Sequence, residues 1–212
     1  MQKMDNHSYL PIIQEDNEIV AHIFHYIRNY LFEHDEHDLL DMDFVVTIIS
    51  FFNLYLVPIL FGREERVLFK NLSQFSLSGS IQRLIDNVVN LHQLIKNDIV
   101  KLSSLEALYN NGYNSSIEEI HDNFHRLIKL FNKLTHLQSE LYPIIDHFLK
   151  KGQKEKINRC LLEFNAIAIK EQLHHSILEK YQKYSPFPKE FLNSVLAEKS
   201  QNSTSLPRKK DV

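Results

Sequence analysis

Apolar positions along this chain recur at three- and four-residue intervals and never alternate for long, a pattern that predicts helices and no sheet. Ile19, Val20, Ile23, Phe24, Ile27 and Leu31 give a first helix over about residues 15–32, with Glu15, Asp16 and Glu18 at the positive end of its dipole. A second helix is expected from about Asp41 to Leu72. Pro58 inside it should kink the helix or free a carbonyl, because its ring blocks an interior hydrogen bond. A third, from about Ser80 to Leu108, has a narrow apolar face through Ile81, Ile85, Val88, Ile95, Ile99 and Leu102. The stretches SQFSLSG before it and YNNGYNSS after it read as turns. Ser115 and Glu118 offer a capping box for a fourth helix that runs to about Lys151. Gly152 separates a fifth helix, about residues 154–184, which the PFP at 186–188 stops.

The expected architecture is an all-α antiparallel up-down four-helix bundle over residues 15–184, with an additional C-terminal helix. Residues 1–14 form a polar lead-in, 185–198 a short appended helix and 199–212 a disordered tail. Phe44–Phe61 contains fourteen apolar residues in eighteen, close to the length of a membrane span. Thr47, Ser50, Asn53 and Pro58 interrupt it, and Asp41, Asp43, Arg63 and Glu64 flank it, so a central bundle helix is preferred over a transmembrane one.

Composition narrows the partners. A formal charge of −3 gives no electrostatic pull toward nucleic acid or an anionic membrane, and the terminal RKK is too short for a nucleic-acid patch. Cys160 is the only cysteine, so no internal disulfide forms. Its apolar context, CLLEF, reads as a buried structural thiol. With no secretory signal at the start, a reducing, cytoplasmic setting is expected. The four glycines are scattered and make no phosphate loop, and no nucleophile–base–acid set stands out.

Twelve histidines raise the question of metal. On the fourth helix His121, His125, His136 and Glu140 fall within one arc, shared with Glu118, Asp122, Lys129 and Lys133, which reads as a solvated polar face. His136 lies about 150° from the centre of that helix's apolar stripe, whereas Lys133 and Leu137 are placed inward. His174 and His175 are adjacent and cannot both face a core. His92 differs, since it sits in the middle of the third helix's apolar face and must satisfy its ring nitrogens there. Two readings stand: a neutral core histidine bonded to a tyrosine, Asn53 or a carbonyl, or a residual mononuclear site of His22, Glu64 and His92. Two histidines and a carboxylate would suit Fe(II) with open positions. Arg63, Glu64, Glu65 and Arg66 read equally as a charged helix face.

The segments GREERVLFKNL at 62–72, SELYPII at 139–145 and GSIQRLI at 79–85, with the run EFNAIAIKEQLHHSILEKY, together resemble the hemerythrin-like (HHE cation-binding) family over about residues 15–185. That resemblance implies a di-iron carboxylate bundle used in oxygen binding, redox or nitric-oxide response, or iron sensing. His22 fits the family's first histidine. The other ligand positions depart from the pattern: the first His-x-x-x-Glu pair falls on Leu60 and Glu64, the third-helix histidine on Val88, and the second pair on Lys133 and Leu137. The reading is a hemerythrin-like protein with a degenerate di-iron site and no bound cofactor, serving as a non-catalytic binding, sensing or structural module. The alternative is a working non-haem iron protein with a remodelled mono- or dinuclear centre. A membrane-associated helical protein ranks third.

Overall fold

The computed structural model describes residues 10–33, 40–113 and 116–170. The expected terminal pieces, 185–198 and 199–212, lie outside them, as do His174 and His175. Five helices make up the described chain: α1 (Leu10–Glu33), α2 (Met42–Leu72), α3 (Gly79–Asn110), α4 (Ser116–Phe148) and α5 (Lys151–Lys170). No strand occurs among the described residues. The described residues form an all-α, five-helix bundle. Helix α1 begins at Leu10, inside the stretch expected to be a lead-in.

Side-chain capping fixes two of the starts. Asp41 accepts from the backbone N–H of Asp43 at 2.9 Å and, at 3.4 Å, of Phe44, filling donors that open α2. Ser78 does the same for Ile81 at the start of α3. Between α3 and α4 the chain reverses at Gly112, whose φ of 92° is open to glycine and strained for other residues.

Cross-helix pairs set the directions. Asp98 meets Arg126, and Lys101 meets Glu119 at 3.5 Å, so α3 and α4 run antiparallel as one long hairpin. Tyr30 stacks on Phe44 at 3.9 Å and Phe24 lies 5.4 Å from Phe52, so α1 and α2 are antiparallel too. Phe24 also stacks on Phe131 of α4 at 4.1 Å and 7°, closing α1 against the hairpin. These stacked contacts add to what burial alone contributes.

Helix α2 is the centre of the bundle. Ile59 through Glu64 are all buried, and six consecutive buried positions require neighbours on every side rather than along one stripe. Pro58 does not break the helix; its backbone instead runs in π-helical register over Phe52–Phe61 and again over Glu64–Phe69. A proline inside a helix removes one i→i−4 bond, and the wider i→i+5 ring is a way for the chain to continue past it. Helix α5 docks on this stretch through Phe164, whose ring tip would stand 3.0 Å from a Cβ at Gly62. By length and composition Met42–Leu72 is also the one described helix that could cross a membrane, and 61% of its most apolar window is buried by the rest of the bundle.

Candidate functional site

The turn 61–65, where the π-helical stretches Phe52–Phe61 and Glu64–Phe69 meet across Gly62 and Arg63, delivers a cluster of charged and polar groups to the bundle interior. Arg63 points toward α1, where it pairs with Asp16; the other Asp16 oxygen accepts from the Tyr55 hydroxyl at 2.8 Å. Glu64 points between α3 and α4. Its Oε1 accepts from Gln138 Nε2 at 2.7 Å, and its Oε2 lies 2.9 Å from His92 Nε2. That second approach is close but poorly aligned for a hydrogen bond, so it is chiefly an ionic contact. Glu65 reaches the same imidazole from its other edge, accepting from His92 Nδ1 at 2.8 Å and from Lys96 Nζ at 2.8 and 3.0 Å. Phe61 lies flat against the His92 ring, centroids 3.9 Å apart and 12° from parallel.

A carboxylate oxygen therefore faces each nitrogen of His92. A neutral imidazole has one N–H and one lone pair, so one carboxylate would meet a lone pair; the imidazolium offers an N–H to both. Burial of the ring opposes its charging, but the Glu64 carboxylate against Nε2 and the Glu65 carboxylate bonded to Nδ1 outweigh this and raise its pKa above the ordinary value. Glu65 is the converse case. Burial would raise it, and the hydrogen bonds and charges of His92 and Lys96 pull it down to about 2. With His92 protonated, three carboxylates (Asp16, Glu64, Glu65) stand against three cations (Arg63, His92, Lys96), and this cluster is balanced. Such a cluster suits holding a proton and fixing helix register; Glu64 and His92 are fully buried, while Glu65 and Lys96 are partly exposed at its outer edge.

Of the residues proposed from the sequence, Glu64 and His92 come together from α2 and α3, both fully buried. His22 lies exposed on α1. The partners of His92 are Glu64 and Glu65 rather than a tyrosine, Asn53 or a backbone carbonyl, and Asn53 is exposed. Arg63 and Glu64 are buried, so 63–66 is not a charged surface; only Arg66 is fully outside. On α4, His125, His136 and Glu140 are exposed as expected, His136 Nε2 standing 3.4 Å from Glu140, whereas His121 is buried. Lys133 is exposed and does not face the core, whereas Leu137 is half-buried and packs against the core's edge. The inward position is Gln138, which sequence reasoning missed. It continues the spacing 131, 134, 138, 141, 145, and counting that register without regard to polarity finds it. Cys160 is a free thiol, half-buried.

These residues do not compose a ligand set for iron in this conformation. Leu60 and Val88 put buried hydrocarbon at two positions where the resemblance implies ligands, and both nitrogens of His92 are engaged with carboxylates. Among the described residues no group of three or more His, Cys, Asp or Glu side chains is disposed to hold a metal ion. No family model, no curated protein and no solved structure matches this chain.

Proposed function

We propose that this chain is a hemerythrin-like bundle in which an internal ion cluster stands where the family keeps its metal, and that it serves as a non-catalytic binding or sensing module. One observation carries the reading: the His92 imidazole is held between two carboxylates, so a protonated ring supplies the positive charge that a cation would otherwise bring to Glu64. Removing one partner of a buried ion pair costs about 3–5 kcal/mol, so a chain that lost its metal gains by replacing the charge.

Purification from iron-supplemented medium, followed by metal analysis and an absorption spectrum, tests this. Metal at background, together with a His92 ring whose two nitrogens are both protonated by ¹⁵N NMR at neutral pH, is the expected result. Near-stoichiometric iron with ligand-to-metal bands, lost in His92→Ala, sinks the proposal in favour of a working iron protein. That second reading draws on the same convergence of Glu64 and His92 across two helices.

A further inference from the structure

Behind the buried cluster, on the outer side of the same helical turns, α3 and α4 leave a groove of about 410 Å³. Its walls are Leu91 and Leu94 of α3 and Leu137 of α4, with Lys133 and His136 on the α4 lip. Leu94 is 49% exposed, a large apolar side chain left in water beside two half-buried leucines. On the α3 side the groove reaches from Asn87 to Leu94, about 10 Å at the helical rise of 1.5 Å per residue. That is two turns, the spacing over which a helix presents anchors at i, i+3, i+4 and i+7.

The lip is positive. His136 is engaged with Glu140, but no described residue forms an ion pair with Lys133, and Lys129 stands exposed one turn earlier on α4. We infer that this groove receives an amphipathic helix of a partner protein, seating one or two large apolar side chains between Leu91, Leu94 and Leu137 and turning flanking carboxylates toward Lys133 and Lys129. The inference deepens the binding or sensing reading and rests on it. Leu91 precedes His92 and Leu137 precedes Gln138, so a helix wedged here presses on the two turns that hold Glu64. Occupancy and the state of the buried imidazole are thereby linked.

The probe is a synthetic peptide of about five helical turns with leucines at i, i+3, i+4 and i+7 flanked by glutamates, compared with a twin carrying lysines in place of the glutamates. Both are titrated into the full chain by fluorescence anisotropy and ¹H–¹⁵N NMR. The acidic peptide should bind at least about tenfold more tightly than its twin, given the cost of like charges at an interface. It should also shift the amides of Leu91, Leu94 and Leu137 and the ring resonances of His92. Leu94→Asp, at an exposed position, should abolish binding without changing helicity, and Lys133→Glu should reverse the charge preference. Equal binding of the two peptides, binding of neither, or shifts mapping elsewhere overturns the inference. So does dodecanoate shifting these amides when neither peptide binds, since the occupant is then an acyl chain. Iron is assayed on the same samples: peptide failure in folded, iron-free protein defeats the groove alone, whereas stoichiometric iron defeats the functional reading and leaves a positive peptide result standing.

Discussion

His92 and Glu64 come from two helices and are shut away from water, with side-chain exposures of 0% each; His136 and Glu140 sit one turn apart on α4 with 75% and 50% exposed. The atoms approach almost as closely in both, 2.9 Å against 3.4 Å. Residue types and separation therefore say little about what such a pair does. In water the second pair is screened and competes with side-chain entropy. In the interior each charge must be answered, so the first pair recruits Gln138, Glu65 and Lys96 until the set is balanced. A pair that spans two helices also ties their register together, which a pair within one helix cannot do.

Removing His92 should part the two pairs most widely. His92→Ala leaves Glu64 buried without its cation, and unfolding by denaturant at pH 7 should show a loss of about 3–5 kcal/mol. Exchanging Glu64, His92 and Gln138 together for Met, Leu and Leu should cost far less than His92→Ala alone, because no charge or amide is then stranded. A loss below about 1 kcal/mol for His92→Ala would put the buried pair in the same class as a surface pair.

The pH dependence comes next in size. His92 has a raised pKa in the fold, so its contribution is complete below the ordinary imidazole value and is lost as pH rises through the folded one. Glu65 is lowered from 4.5 to about 2, so its contribution is complete above 4.5 and is lost as pH falls toward 2. Thermal midpoints measured across pH should therefore fall on both flanks of a mildly acidic plateau. His92→Gln should flatten the alkaline flank, and Glu65→Gln should reduce the acid one. An alkaline flank unchanged in His92→Gln would mean that this imidazole is not the group titrating. Smaller still is Gln138→Leu, which takes one hydrogen bond from Glu64 Oε1 and keeps the charges; about 1–3 kcal/mol follows for the unsatisfied acceptor.

What the sequence showed and what it hid divide along the same line as the two pairs. Periodicity located α3 and α4 to within a few residues, and the continuous apolar run at 44–61 located α2, because each depends on its own segment and on local caps such as Asp41 and Ser78. It also put His92 in the core and Glu64 in its company. Gln138 escaped because an amide was not scored as a core residue, although its register with Leu134 and Leu141 places it there. His22 entered the candidate site because it fits the first histidine of the family the chain resembles, and a match of sequence position does not fix which way a helix face turns; His22 lies exposed on α1. The π-helical register of α2 had only Pro58 as its signal. A helix apolar on every side has no stripe from which a change of pitch can be read, so the paired delivery of Arg63 and Glu64 to opposite neighbours stayed hidden.

The smallest effect belongs to the exposed pair, and it is the one that makes the comparison sharp. His136→Ala or Glu140→Ala should change stability by about 0.5 kcal/mol at most, as expected for a solvated i, i+4 pair. The decisive quantity is the coupling from a double-mutant cycle, since single substitutions also carry helix propensity and, at His136, the lip of the groove. For His136 and Glu140 the cycle should close to within about 0.5 kcal/mol. For His92 and Glu64, sharing partners in a closed interior, it should leave an interaction energy of about 1–3 kcal/mol. Equal couplings in the two cycles would show that burial adds nothing to the contact, and the cluster would lose its claim to hold the register of α2 against α3.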